Sequence, residues 1–109
     1  MLESLFGSVN RERVLIFISA RGEGYAREIA DFYDTDLSPI QNQLDRLEAG
    51  NIFISKKQGK TRVYQYNPRF PFLKQLRAFI DKVIEFLPEK ERERLVMVRK
   101  RPRRKGKPL

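Results

Sequence analysis

The chain has 109 residues, a net charge of +9 from 23 basic and 14 acidic side chains, 40% apolar residues, and no cysteine or histidine. That length holds one domain with tails, and the apolar share is enough for a modest core. Without thiols or imidazoles there are no disulfides, no thiolate or imidazole metal centre, and no histidine general base, so a binding protein is expected and an enzyme is not.

Charge is unevenly placed. Residues 1–55 carry five basic and nine acidic side chains, residues 56–62 carry four basic ones, and residues 99–109 carry seven basic and no acidic ones. The basic character is therefore one internal patch plus a tail, which points to a polyanionic partner. No run reaches the roughly 18 apolar residues a membrane span needs. No basic stretch followed by an apolar run opens the sequence. A cytoplasmic protein without a membrane partner is the expectation.

Residues 9–20 follow Ser8, a good N-cap, and predict a first helix ended by the glycines of Gly22-Glu23-Gly24. The apolar run 14–18 also suits a short buried strand; the cap and Arg11-Glu12-Arg13 favour the helix. Residues 25–33 place Ala26, Ile29, Ala30 and Tyr33 on one face of a second helix. After the turn Asp34-Thr35-Asp36, Ser38 reads as an N-cap, Pro39 as the first helical residue and Gln41 as the capping-box partner. This third helix buries Ile40, Leu44 and Leu47 and stops at Gly50-Asn51. Residues 52–57 and 61–66, rich in β-branched and aromatic side chains around Gln58-Gly59-Lys60, predict a hairpin that Asn67-Pro68 ends. Residues 70–87 form the longest amphipathic pattern and stop at Pro88. Residues 89–98 suit a further turn or two of helix, and the segment from Arg99 has the composition of a chain without fixed structure.

Three helices followed by a hairpin with a basic tip define a mainly α fold class with a small β-hairpin, a winged helix-turn-helix with a long C-terminal dimerisation helix. The expected division is 1–67 for the winged domain, 68–98 for the helical dimerisation segment and 99–109 for a basic tail. Asparagine and glutamine pair with adenine in a major groove, and arginine with guanine. Ser38, Pro39, Gln41, Asn42 and Arg46 are the candidate base-reading residues, and Lys56, Lys57, Lys60 and Arg62 the candidate phosphate contacts. The apolar side of residues 70–87 is too broad for one small domain to cover. Phe72, Leu76, Phe79, Ile80, Val83, Phe86 and Leu87 are therefore the expected dimer interface.

The residues 10–15, 25–30, 37–50 and 56–64 together resemble the winged helix-turn-helix superfamily, close to ArsR-like transcriptional regulators. The likeness covers a little over half the chain. It implies a homodimer that binds double-stranded DNA, with the 38–49 helix in the major groove and the wing on the backbone. Metal-sensing members use cysteine or histidine ligands, which this chain lacks.

Plainer readings stand beside these. Gln41 and Asn42 also suit a solvated helix face, and Asp45 would repel phosphate. Asp31, Asp34 and Asp36 are turn residues before they are a metal site, so no metal or cofactor is expected. The acidic 1–55 half suits a protein-interaction module, antitoxin-like in character. The basic tail suits a non-specific nucleic-acid binder. A recognition residue would betray itself by changing base preference when truncated.

Overall fold

The apolar run 14–18 leaves no polar flank, so whatever element carries it must be enclosed on every side. In the computed structural model, which describes residues 2–96, that element is helix α2 (Val9–Arg21). The Ser8 side chain accepts the Arg11 N–H at 3.2 Å, as an N-cap should. Gly22 closes the helix at a φ of 90°, a region that suits glycine. Val14, Leu15, Ile16, Phe17, Ile18 and Ser19 are all buried.

The remaining elements form a sleeve around this axis. A short α1 (Glu3–Phe6) precedes it; α3 (Ala26–Phe32), α4 (Leu37–Ala49), strands β1 (Phe53–Gln58) and β2 (Thr61–Tyr66), α5 (Leu73–Glu85) and a final helix α6 (89–96) follow. One core collects Ile29 of α3, Ile40 and Leu44 of α4, Phe53 and Tyr64 of the hairpin, Ile80 of α5 and Leu95 of α6. It thus draws on both sides of the expected boundary at residue 67.

The Tyr66 and Ser19 hydroxyls enter this core with partners. The Tyr66 hydroxyl donates to the Leu15 carbonyl at 2.8 Å, and burial holds its pKa well above the usual phenol range. Ser19 donates to Asp81 at 2.8 Å, and Arg77 to the Ser19 carbonyl at 3.2 Å, so α5 is tied to α2 by hydrogen bonds as well as by apolar packing. Arg21 lies over the rings of Phe17 and Phe32, while Arg94 covers Phe32 and donates to its carbonyl at 2.9 Å. These stacked guanidiniums seat α6 on α3.

Several boundaries differ from the sequence expectation, each for a steric reason. The N-cap of α4 is Asp36, not Ser38, and Pro39 is its third residue. The first turn of a helix leaves its N–H groups unbonded, so proline fits there beyond the first position. Helix α5 starts at Leu73 rather than 70, because Asn67-Pro68 opens a turn in which Asn67 accepts from Phe70. It ends at Glu85 in a tightened turn, with Phe86 bonding to Val83 and Leu87 to Ile84, before Pro88. The long single helix expected over 70–87 is therefore the shorter α5, with α6 folded back beside α3. The basic tail from Arg99 lies outside the described residues.

The hairpin is joined to the helices at a glycine. Gly24 and Tyr64 exchange both backbone hydrogen bonds, at 3.0 and 2.8 Å, which lays the segment after α2 against β2. A Cβ on Gly24 would stand 2.9 Å from the Phe17 ring, which is fully buried beneath Arg21. Gly24→Val should therefore lose about 1–3 kcal/mol in urea denaturation, as overpacking does; an unchanged midpoint would show that the ring yields freely.

A second stability prediction concerns Tyr33. Its buried hydroxyl has no hydrogen-bond partner among the described residues, although Arg13 stacks on its ring at 5.3 Å. Tyr33→Phe should hold or raise stability, by up to about 1 kcal/mol, because it deletes an unsatisfied donor. A clear loss would mean that the hydroxyl finds an acceptor in solution.

Candidate nucleic-acid interface

Helices α3 and α4, joined by Asp34-Thr35-Asp36, make a helix-turn-helix. Asp34 takes a φ of 52° in that turn, where the Thr35 N–H bonds to the Ala30 carbonyl at 2.9 Å. Helix α4 buries Ile40, Leu44 and Leu47 as expected, which fixes what its other faces can do. Ser38 and Asn42 are exposed. Pro39 is half-buried in the first turn. Arg46 is exposed on one flank, lining a cleft with Leu5, Phe6, Arg11 and Leu76. Arg11 closes that flank by donating to Gln43 at 2.9 Å and to the Phe6 carbonyl at 2.8 Å.

Gln41 sits on the opposite flank, facing the wing. Its Nε2 donates to Asp45 Oδ1 at 2.9 Å and to the Tyr64 hydroxyl at 3.1 Å; Tyr64 in turn donates to Asp45 at 3.3 Å. Burial raises the Tyr64 pKa, opposed by the hydrogen bond from Gln41, so the phenol keeps its proton at neutral pH. One helical turn on, Glu48 accepts from Ser55 Oγ at 2.6 Å, and Ser55 Oγ accepts from Arg62 at 3.0 Å. Gln41, Asp45 and Glu48 are spaced four and three apart, a polar stripe beside the apolar one. None of Asp45, Glu48, Ser55 or Tyr64 is singled out by the sequence expectation as a site residue. The stripe spacing was the available signal, but its partner strand could not be assigned from it.

The wing's register completes the geometry. Ser55 pairs with Tyr64, Lys57 with Arg62 and Gln58 with Thr61, leaving Gly59-Lys60 as a two-residue turn. Gly59 takes a φ of 66° there, as a primed hairpin turn asks of its first central residue. Side chains alternate across a strand, so Ser55, Lys57, Arg62 and Tyr64 share the α4-facing side, with Lys56 on the other and Lys60 at the tip. All four basic residues are exposed, and among the described residues none is in an ion pair. Lys57 and Arg62 are like charges placed directly opposite each other, an arrangement that destabilises a hairpin in isolation.

The expected dimer residues separate into two groups. Ile80, Val83 and Leu87 are buried within the single chain and Leu76 is packed against the same core, so they complete the fold. Phe72, Phe79 and Phe86 stand 65%, 40% and 71% exposed at seven-residue spacing, Phe79 within α5 and the other two at its caps. Phe79 meets Phe6 of α1 edge to face at 6.2 Å, beside the exposed Leu5. Among the described residues there is no cluster of three potential metal ligands, and no helix long and apolar enough to cross a membrane.

Mostly helical, with a two-stranded antiparallel hairpin behind a helix-turn-helix, the chain has a winged-helix-like fold. No family model matches it, and no curated protein matches it in sequence. Among solved structures it is similar to the YusO protein from Bacillus subtilis, with a TM-score of 0.55 and 22% identity, over 90% of this chain and 77% of that one. A likeness at that identity concerns the fold.

Proposed function

We propose that the protein is a homodimeric, ArsR-like regulator of transcription that binds double-stranded DNA in the cytoplasm, without catalytic activity or a bound cofactor. The observation that carries this reading is the unpaired basic wing beside an exposed helix. Lys57 and Arg62 face each other at the α4 side of the hairpin; among the described residues neither is in a direct ion pair, and the one acid near them, Glu48, reaches Arg62 only through the Ser55 hydroxyl. A like-charge pair kept against a local rule with no direct counter-ion is the mark of a functional surface, and a polyanion supplies the missing charge. Ser38 and Asn42 of α4 face the major groove, with Arg46 at one flank, while Lys56, Lys57, Lys60 and Arg62 grip phosphates. Asp45, the obvious obstacle, accepts hydrogen bonds from Gln41 and Tyr64, which draw its charge toward the wing seam.

Phe72, Phe79 and Phe86 supply the second half of the proposal. A stripe of exposed phenylalanines on a small domain is an association surface. Burying them against a second copy would bring two α4 helices onto one duplex and would favour a roughly palindromic site. A second reading, a protein-interaction module, draws on Asp34 and Asp36, exposed acids at the turn before α4.

Two measurements test these assignments. In a salt-dependent titration with duplex DNA, the full chain should show a steep fall of affinity, and replacing Lys56, Lys57 and Lys60 by alanine should reduce the slope of log K against log salt by about 3. Absence of duplex binding at low salt would transfer the reading to the protein-interaction module. In sedimentation, the parent should be a dimer, and Phe72, Phe79 and Phe86 changed together to serine should weaken it by at least about 100-fold, given what each buried phenylalanine contributes. A monomeric parent would remove the dimer.

A further inference from the structure

We propose that Gln41, Asp45 and Tyr64 form a positioning unit that holds the wing at a set distance from α4, and that Gln41 is not a base reader. This inference rests on the reading of α4 and the wing as a duplex-binding pair. Pairing of glutamine with adenine needs a free N–H and a free carbonyl on the same amide. The Gln41 Nε2 already has two acceptors within the protein, Asp45 Oδ1 at 2.9 Å and the Tyr64 hydroxyl at 3.1 Å. Turning the amide over would set Oε1 against the Asp45 carboxylate, acceptor against acceptor. The donor that adenine requires is therefore committed inside the protein.

The unit is a closed triangle spanning two elements. Tyr64 contributes a ring that is 2% exposed, anchored from behind by the backbone exchange with Gly24, and a hydroxyl that reaches α4. Ser55 lies across the strand pair from Tyr64, and it carries the second link, from Arg62 through Ser55 to Glu48. Both links therefore meet at one rung of the hairpin, with Lys57 and Arg62 on the next rung of that face toward the tip. A hairpin of two strands is weakly rigid alone; here its base is bolted to the helix that would read DNA. The separation between Asn42 in the groove and Lys57 and Arg62 on the backbone is then a property of the protein rather than of the duplex. Base reading on α4 passes to Asn42 and Ser38, both exposed; Asn42 is turned away from the wing, and Ser38 lies one turn before Gln41 toward the start of the helix.

The test uses the full chain and the variants Gln41→Ala, Tyr64→Phe, the two combined, and Asn42→Ala. Base preference is read by selection from randomised duplexes, affinity by titration, and hairpin order by amide exchange without DNA. Gln41→Ala and Tyr64→Phe should each leave base preference unchanged and weaken binding by about five-fold, the scale of one hydrogen bond. Combined, they should weaken it no further, because they break one network. Each should speed exchange of the 61–66 amides while leaving the 14–18 amides of α2 unaffected, which a general loss of stability would not do. Asn42→Ala should alter preference at a base pair. A base-preference change in Gln41→Ala that Tyr64→Phe lacks would overturn the proposal, as would unchanged hairpin exchange. Should the parent bind no duplex, the DNA reading fails by itself; hairpin exchange then decides whether the unit exists.

Discussion

The enclosure of α2 is the constraint from which the rest of the structure follows. A helix with six successive buried residues cannot lie on a surface, so the chain must supply cover from every direction. Helices α3 and α4 cover one side, the hairpin another, and α5 with α6 the remainder. Fully burying side chains such as Phe17, Ile18 and Val14 contributes roughly 1.5–3 kcal/mol each before ordering costs. The sleeve is needed to collect that contribution, which is why the segment after residue 67 enters the core of the winged part.

The hairpin is the element least able to fold on its own, and polar contacts hold it from several sides. Gly24 pairs with Tyr64 on one side, Tyr66 donates to the Leu15 carbonyl beneath, and α4 holds Tyr64 and Ser55 above. These contacts secure the base of the wing and leave its tip free. Hydrogen bonds serve here where apolar packing could not, since packing is tolerant of sliding and hydrogen-bond geometry is not. The basic tip therefore projects from a support held on several sides.

Much of the fold was legible in the residues. Ser8 as a cap, the glycines after residue 21, Gly59 in the turn and the apolar spacing of Ile40, Leu44 and Leu47 are all local signals, and each is realised in place. Local signals misled where one residue type serves several positions. Ser38-Pro39 looked like a helix start, yet any unbonded N–H position in a first turn accepts proline. The apolar width of residues 70–87 suggests one interface, but it divides into a buried stripe and an exposed one.

By itself the sequence determined the order of the elements from α2 through the hairpin and the basic wing, while the short α1 carried no local signal, because periodicity, caps and charge are properties of neighbouring residues. Tertiary structure alone decided which polar side chains of α4 are bonded within the protein and which stay exposed. Gln41 and Asn42 are adjacent and chemically alike, but a helix turns about 100° between them. That rotation carries Gln41 to Tyr64, 23 residues further along the chain, and leaves Asn42 facing outward. Which of the two is free to recognise a partner depends on where the wing comes to rest, and no local pattern encodes that.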